Sequence, residues 1–191
     1  MSDALQVSLS AWVVQDGNYG DFREGRRYAF ALEFWEEERL VVRHPAANDQ
    51  PCSLTPLGGW AYAVKGKVAF VGDRWWVLDV GLPIYTDRGE APGPVGTPVR
   101  GKIGIAIDHF SYFERLSRES GAPALIYDWR IDAIALDGAP WVEVQSRMKA
   151  RDRTRQSWRS VKATDAWKDD DGHASYLMTC TRLPEEPRRT R

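Results

Sequence analysis

The sequence predicts a mainly β protein, a barrel or a sandwich, with one short helix. Three observations predict it. Apolar and polar residues alternate through one segment after another, the period of a strand with one buried face. Short glycine-containing turns such as Gly72-Asp73 and Asp137-Gly138 join several of these segments. Helical spacing is sustained only near residues 110–120, so helices do not alternate with strands as a parallel α/β sheet requires.

Taken in order, Leu5, Val7, Leu9, Ala11 and Val13 form the first apolar face. Tyr28, Phe30, Leu32 and Phe34 form the second, after which the acidic run Glu36-Glu37-Glu38 is expected to turn the chain so that Leu40-Val41-Val42 returns. A strand from Val64 to Val71 is tied through Gly72-Asp73 to another from Trp75 to Val80, and Gly66 reads as a bulge. Residues 87–98 are dense in Pro and Gly and oppose regular pairing. Val99, Ile103, Ile105 and Ile107 resume alternation. The helix follows from Ser111 to Ser120, capped by Asp108 or Ser111 and closed by Gly121. Leu125, Tyr127, Trp129 and Ile131 make another strand, Asp137-Gly138 leads to one beginning at Trp141, and the last runs from Ser175 to Leu183. The expected core contains Val7, Leu9, Phe30, Leu32, Val68, Phe70, Leu78, Ile103, Ile105, Trp129 and Ile131.

The Pro/Gly stretch suggests an N-terminal β half over residues 1–90 and a C-terminal β half over 96–183, with a loose polar tail over 184–191; the halves also fit one compact domain. A Trp-containing hairpin at 71–80 and a similar stretch at 136–144 raise the idea of a duplication. The pattern favours small barrels or a sandwich of the oligonucleotide/oligosaccharide-binding (OB) kind.

Composition bounds function. With 43% hydrophobic and 28% charged residues the chain is an ordinary globular protein. A net charge of -1 excludes a uniformly basic nucleic-acid binder, so any polyanion site must be local. The first residues carry no basic segment followed by an apolar run, and no apolar stretch is long enough to span a bilayer, so a cytoplasmic protein with no membrane partner is expected. Two cysteines, Cys52 and Cys180, are too few for a disulfide framework and are expected to stay unpaired.

The familiar catalytic and phosphate-binding motifs are absent. The bland reading prevails for Cys52 with His44 as its base, for a metal site built from His44, His109 and His173, and for Asp169, Asp170 and Asp171, taken as a charged turn. Asp79, Asp108, Asp128 and Asp132 are the strand carboxylates from which an acid–base pair would be drawn. No catalytic residue, metal or cofactor is assigned. Trp75 and Trp76 are adjacent and must point to opposite faces, so one is covered by another segment, with the C-terminal one the expected cover, or meets a partner.

The sharpest local feature is basic. Arg147, Lys149, Arg151, Arg153 and Arg155 share parity, and Arg147, Arg151, Arg155 and Arg159 share helical spacing, so either backbone clusters the charges. Trp158 and Trp167 add stacking surfaces suited to a polyanion or single-stranded nucleic acid. Reversing Arg151, Arg153 and Arg155 to Glu is expected to leave folding intact if the stripe is only surface. The chain therefore reads as a non-enzymatic binding or protein-interaction module for an undefined protein or polyanion partner. Nucleic-acid binding through Arg147 to Arg159 and a small carboxylate enzyme are the alternatives.

Overall fold

The computed structural model describes residues 4–43, 51–145 and 148–190. Its strands are β1 (Ala4–Ser10), β2 (Arg27–Phe30), β3 (Leu32–Val42), β4 (Ser53–Gly58), β5 (Ala61–Val71), β6 (Trp76–Asp79), β7 (Pro83–Thr86), β8 (Pro98–Ile107), β9 (Tyr127–Asp137), β10 (Trp141–Gln145), β11 (Met148–Arg151), β12 (Trp158–Val161) and β13 (Ser175–Arg182). Two short helices, α1 (Ala11–Gln15) and α2 (Ser111–Glu114), complete the regular elements with a few 3-10 turns. Among the described residues no helix is long and apolar enough to cross a membrane.

The main sheet runs β12-β9-β13-β1-β8-β3-β7-β6-β5-β4, and β5 pairs again with β8. That second pairing closes β8, β3, β7, β6 and β5 into a five-stranded barrel, while β1, β13, β9 and β12 continue from β8 as an extension. Strands from either side of the Pro/Gly stretch pair with each other, since residues 87–97 connect β7 to β8 within the barrel. One continuous apolar core fills barrel and extension, including Val68, Leu78 and Ile105 from the first and Leu9, Trp129 and Ile131 from the second. Of the expected core residues only Phe70 is less than fully buried.

Several elements depart from the alternation that marks them. β1 ends at Ser10, where the Ala11 N–H donates to the Ala174 carbonyl at 2.8 Å, and the chain enters α1 instead of extending to Val13. The strand expected across Tyr28 to Trp35 divides at Ala31, because β2 pairs with β9 while β3 pairs with β8. The acidic run does not turn the chain. It lies within β3, whose register shifts twice there; Glu36 accepts the Leu40 N–H at 2.8 Å and Glu38 takes the Lys102 ammonium at 2.6 Å. The predicted helix shrinks to α2 and a 3-10 turn at Leu116–Arg118. The tail is anchored, because Ile126 and Arg188 exchange backbone hydrogen bonds and Arg188 pairs with Asp128. The two tryptophan stretches also differ: 71–80 is the β5–β6 hairpin, whereas β10 turns away from β9 to pair with β11.

Gly66 is not a bulge; the local register shift lies between Val68 and Phe70. It sits opposite Val99 where β5 is shared between β8 and β6, and a Cβ there would lie 2.5 Å from the Asp79 carbonyl oxygen. Only glycine admits that backbone approach. Gly66→Ala is expected to lower stability by about 2–3 kcal/mol, read as a lower urea midpoint at unchanged slope.

Candidate functional site

Three regions bring chemistry-bearing side chains together. The first lies on the outer barrel wall. In β3, Leu32 and Phe34 face inward, so Glu33 faces outward, opposite Tyr85 of β7. The strand-to-helix turn from Asp108 to Ser111 closes over it and leaves Glu33 4% exposed. Asp108 organises that turn: its carboxylate accepts N–H groups from Phe110 at 3.1 Å, Tyr112 at 3.3 Å and Phe113 at 3.2 Å, and the Tyr85 hydroxyl. Burial pushes the Asp108 carboxyl above its usual range, and these donors oppose the shift. Phe110, at φ +152°, takes a backbone conformation that is strained for a non-glycine residue.

His109 sits at the centre, with Nδ1 2.6 Å from Glu33 and Nε2 3.0 Å from the Ser111 hydroxyl. The Ser111 hydroxyl donates to Asp87 at 2.8 Å, so its single hydrogen is used there and His109 Nε2 must donate to it. Nδ1 faces a carboxylate and donates as well, which is the hydrogen-bond pattern of the imidazolium form. The Glu33 hydrogen bond raises the His109 pKa above its ordinary value, with burial opposing. Arg88 lies 3.4 Å from the second Glu33 oxygen, and Trp12 packs over the imidazole at 5.6 Å between centroids.

The order Ser111–His109–Glu33 has the outline of a nucleophile, base and orienting acid. Two features argue against that chemistry. An imidazolium cannot take the Ser111 proton, and the helix N–H groups that would form an oxyanion hole already bind Asp108.

The second region is an apolar pocket of about 310 Å3 where barrel meets extension. Leu5 of β1, Leu54 and Pro56 of β4, Tyr62 of β5, the turn residues Val80–Leu82 and Trp129 of β9 form its walls, with Thr55 of β4 and Arg182 of β13 also lining it. The polar atoms of its aromatic walls are committed: the Tyr62 hydroxyl donates to the Gln6 carbonyl at 3.0 Å and accepts the Gln6 N–H at 2.7 Å, and the Trp129 N–H donates to Phe30 at 3.1 Å. Nothing in the sequence marks this pocket, because its residues come from six separate segments.

The third region is the arginine-rich segment. Arg147 lies outside the described residues, as does His44. The segment is neither one strand nor one helix: β11 ends at Arg151, and Arg153–Arg155 form a 3-10 turn. Arg151 is nearly buried, lies 4.4 Å over the Trp141 ring, donates to the Ala139 carbonyl and pairs with Asp170. Arg153 pairs with Asp137 at 3.0 Å, and Arg155 with Asp152 at 2.6 Å. Lys149 and Arg159 are exposed. Trp158 meets Trp60 edge-on at 6.0 Å, and Arg153 lies 5.4 Å over Trp60. Trp167 is exposed.

The strand carboxylates do not converge. Asp79 caps the turn at Gly81, Asp108 caps α2, Asp128 pairs with Arg27 and Arg188, and Asp132 pairs with Arg130. His173 lies beside Trp141, and Asp169–Gly172 form a turn. Among the described residues no group of three or more metal-ligating side chains gathers. Trp76 fills the barrel, while Trp75 is covered by residues 112–126, not by the C-terminal segment.

Cys52 and Cys180 are both free thiols, the first half-buried and the second buried. Burial raises both thiol pKa values. Native protein is expected to react with a thiol reagent at Cys52 first, and denatured, unreduced protein to titrate both; mass spectrometry finding a 52–180 bridge would overturn this. Comparison with known proteins finds no matching family model, no matching curated protein and no matching solved structure.

Proposed function

We propose that the protein is a non-enzymatic binding module that holds a small, predominantly apolar molecule between its barrel and its sheet extension. The pocket carries this reading: a cavity of about 310 Å3 with aliphatic and aromatic walls and few polar groups is the usual form of a small-molecule site. Topology supports binding over catalysis. Around the barrel the order β5-β6-β7-β3-β8 contains a three-strand meander and one parallel contact, between β3 and β7. An OB barrel begun at a different strand has this arrangement, and such barrels bind ligands on the face of their second and third strands. The corresponding outer face of β6 and β7 is taken in this chain, since Trp75, Val77 and Tyr85 lie beneath Tyr112, Leu116 and Leu125. The barrel–sheet pocket is an apolar space that stays open.

The test is titration with a neutral apolar fluorophore of matching size, such as 1-aminonaphthalene. Saturable binding of one molecule per chain is expected, with at least about tenfold weaker binding by the pocket-filling variants Leu54→Trp and Leu5→Phe, each checked for native circular dichroism. Absence of saturable binding, or equal binding by both folded variants, would sink the reading.

A polyanion or nucleic acid on the arginine-rich segment is the second reading. The cation–aromatic surface of Arg153, Trp60 and Trp158 favours it. Binding of a labelled oligonucleotide should then weaken with salt, with a slope of roughly -0.7 in log affinity against log salt per phosphate neutralised. No binding at low salt would end it.

A further inference from the structure

We infer that the ligand of the barrel–sheet pocket is a monocarboxylate with a medium-length apolar body, its carboxylate held by Arg182. The inference rests on the pocket being a ligand site and names the chemistry of what enters it. Arg182 is the one charged side chain among the described residues that line the pocket. Its position follows from strand register: β13 runs antiparallel to β9, and Arg182 pairs opposite Trp129, so the cation emerges beside the indole that walls the cavity. The guanidinium lies 5.8 Å over the Tyr127 ring, which holds it on an aromatic face.

Arg182 shares with Arg23, Arg26, Arg100 and several other described arginines the lack of an ion-pair partner, and differs from them in lining the apolar pocket. Arg27, Arg130, Arg151, Arg153, Arg155 and Arg188 each have a carboxylate within ion-pair distance. No carboxylate of the described residues lies within that distance of Arg182. A planar guanidinium presents a fork of donors that matches the two oxygens of a carboxylate. The polar atoms of the aromatic walls, on Tyr62 and Trp129, are already hydrogen-bonded within the protein, so the site offers one charged anchor beside the neutral Thr55 hydroxyl and otherwise mainly apolar contact. One anchor suits one anionic group at one end of the ligand, and a doubly charged phosphate would find too few donors.

Volume bounds the body. At roughly 30 Å3 per water-sized group, a cavity of about 310 Å3 accommodates on the order of ten non-hydrogen atoms. A straight-chain acid of about eight to ten carbons, or an aryl-substituted short acid, has that size. Trp129 and Tyr62 supply flat walls for either.

The experiment is isothermal titration of the full chain with sodium octanoate, 1-octanol and octylamine, on wild type, Arg182→Gln and Leu54→Trp. Octanoate is expected to bind about tenfold or more tightly than 1-octanol, since a hydrogen bond to a charged group is worth about one to two decades of affinity. Arg182→Gln should erase that preference while leaving 1-octanol unchanged, and Leu54→Trp should weaken both. If octanoate and 1-octanol bind equally, or octylamine binds best, the carboxylate assignment falls and the apolar-ligand reading stands. If none of the three binds wild type, both fall. Loss of all binding in Arg182→Gln with native circular dichroism would also overturn the inference, because Arg182 would then be shaping the pocket and not selecting the anion.

Discussion

Replacing His109 with Ala is expected to destabilise the protein by about 3 kcal/mol, near the lower end of the 3–5 kcal/mol seen when one partner of a buried ion pair is removed. The reason lies in Glu33, which is nearly buried and takes its short 2.6 Å hydrogen bond from His109. Without the imidazole, the second contact, to the largely exposed Arg88 at 3.4 Å, is the remaining cation within ion-pair distance among the described residues. That contact keeps the loss from reaching the upper end. Glu33→Gln should cost less, because an amide oxygen can still accept the Nδ1 hydrogen and the imidazole is less buried than the carboxylate it loses.

The same pair sets a pH dependence. The folded-state pKa of His109 is raised, so its contribution is fully present below the unfolded value near 6.5 and is lost as pH rises through the folded value. Wild type should therefore lose its stability advantage over His109→Gln on going from pH 6 to pH 9, and Glu33→Gln should flatten the difference. Urea unfolding of the three proteins at a series of pH values measures this. A wild-type advantage that grows with pH would mean that the ring is held neutral and that the hydrogen-bond assignment around Ser111 is wrong.

Reversing Arg151 to Glu should be comparably damaging, by about 3–5 kcal/mol, whereas reversing Arg155 should cost about half a kcal/mol or less. Arg151 has 8% of its side chain exposed and Arg155 has 62%, so two arginines four positions apart sit in different dielectric surroundings. The reversal at 151 places a carboxylate against Asp170, ends the stacking on Trp141 and leaves the Ala139 carbonyl without its guanidinium donor. Among the described residues β10 and β11 pair with no other strand, so these contacts hold them to the body. Denaturant unfolding gives the global cost, and limited proteolysis within residues 141–151 reports local release of the hairpin. Equal, small losses at 151 and 155 would show that Arg151 is solvated. The structure thus replaces the expectation of a silent triple reversal: the carboxylates that restrain the segment are Asp170, Asp137 and Asp152.

The strands were legible wherever one face is buried and the other wet, because alternation records that asymmetry directly. Val99 to Ile107 and Ser175 to Arg182 were read almost to the residue. Legibility failed where the pairing partner changes. Ala31 lies between two segments of like parity, and only the switch from β9 to β8 as neighbour divides them. The acidic run looked like a turn because three successive carboxylates repel one another along a strand, yet Lys102 across the pair accommodates Glu38. The short strands β4 and β7 went unseen, since Ser53–Gly58 and Pro83–Thr86 carry prolines and too few residues for a period to show.

The candidate sites divide in the same way. Neighbours along the chain set the mainly β class, the parity of all but one of the expected core residues and the local concentration of positive charge, and so these were legible. Only the tertiary structure decided that Glu33 is buried under His109, that three of the arginines are neutralised, and that Leu5, Leu54, Trp129 and Arg182 face one cavity. Apart from Arg155–Asp152, three positions apart, each of these is a contact between residues sixteen or more positions apart, or depends on whether water reaches a side chain. A one-dimensional pattern tells which face of a strand a residue occupies; which segment covers that face is set by the order in which the strands close the barrel.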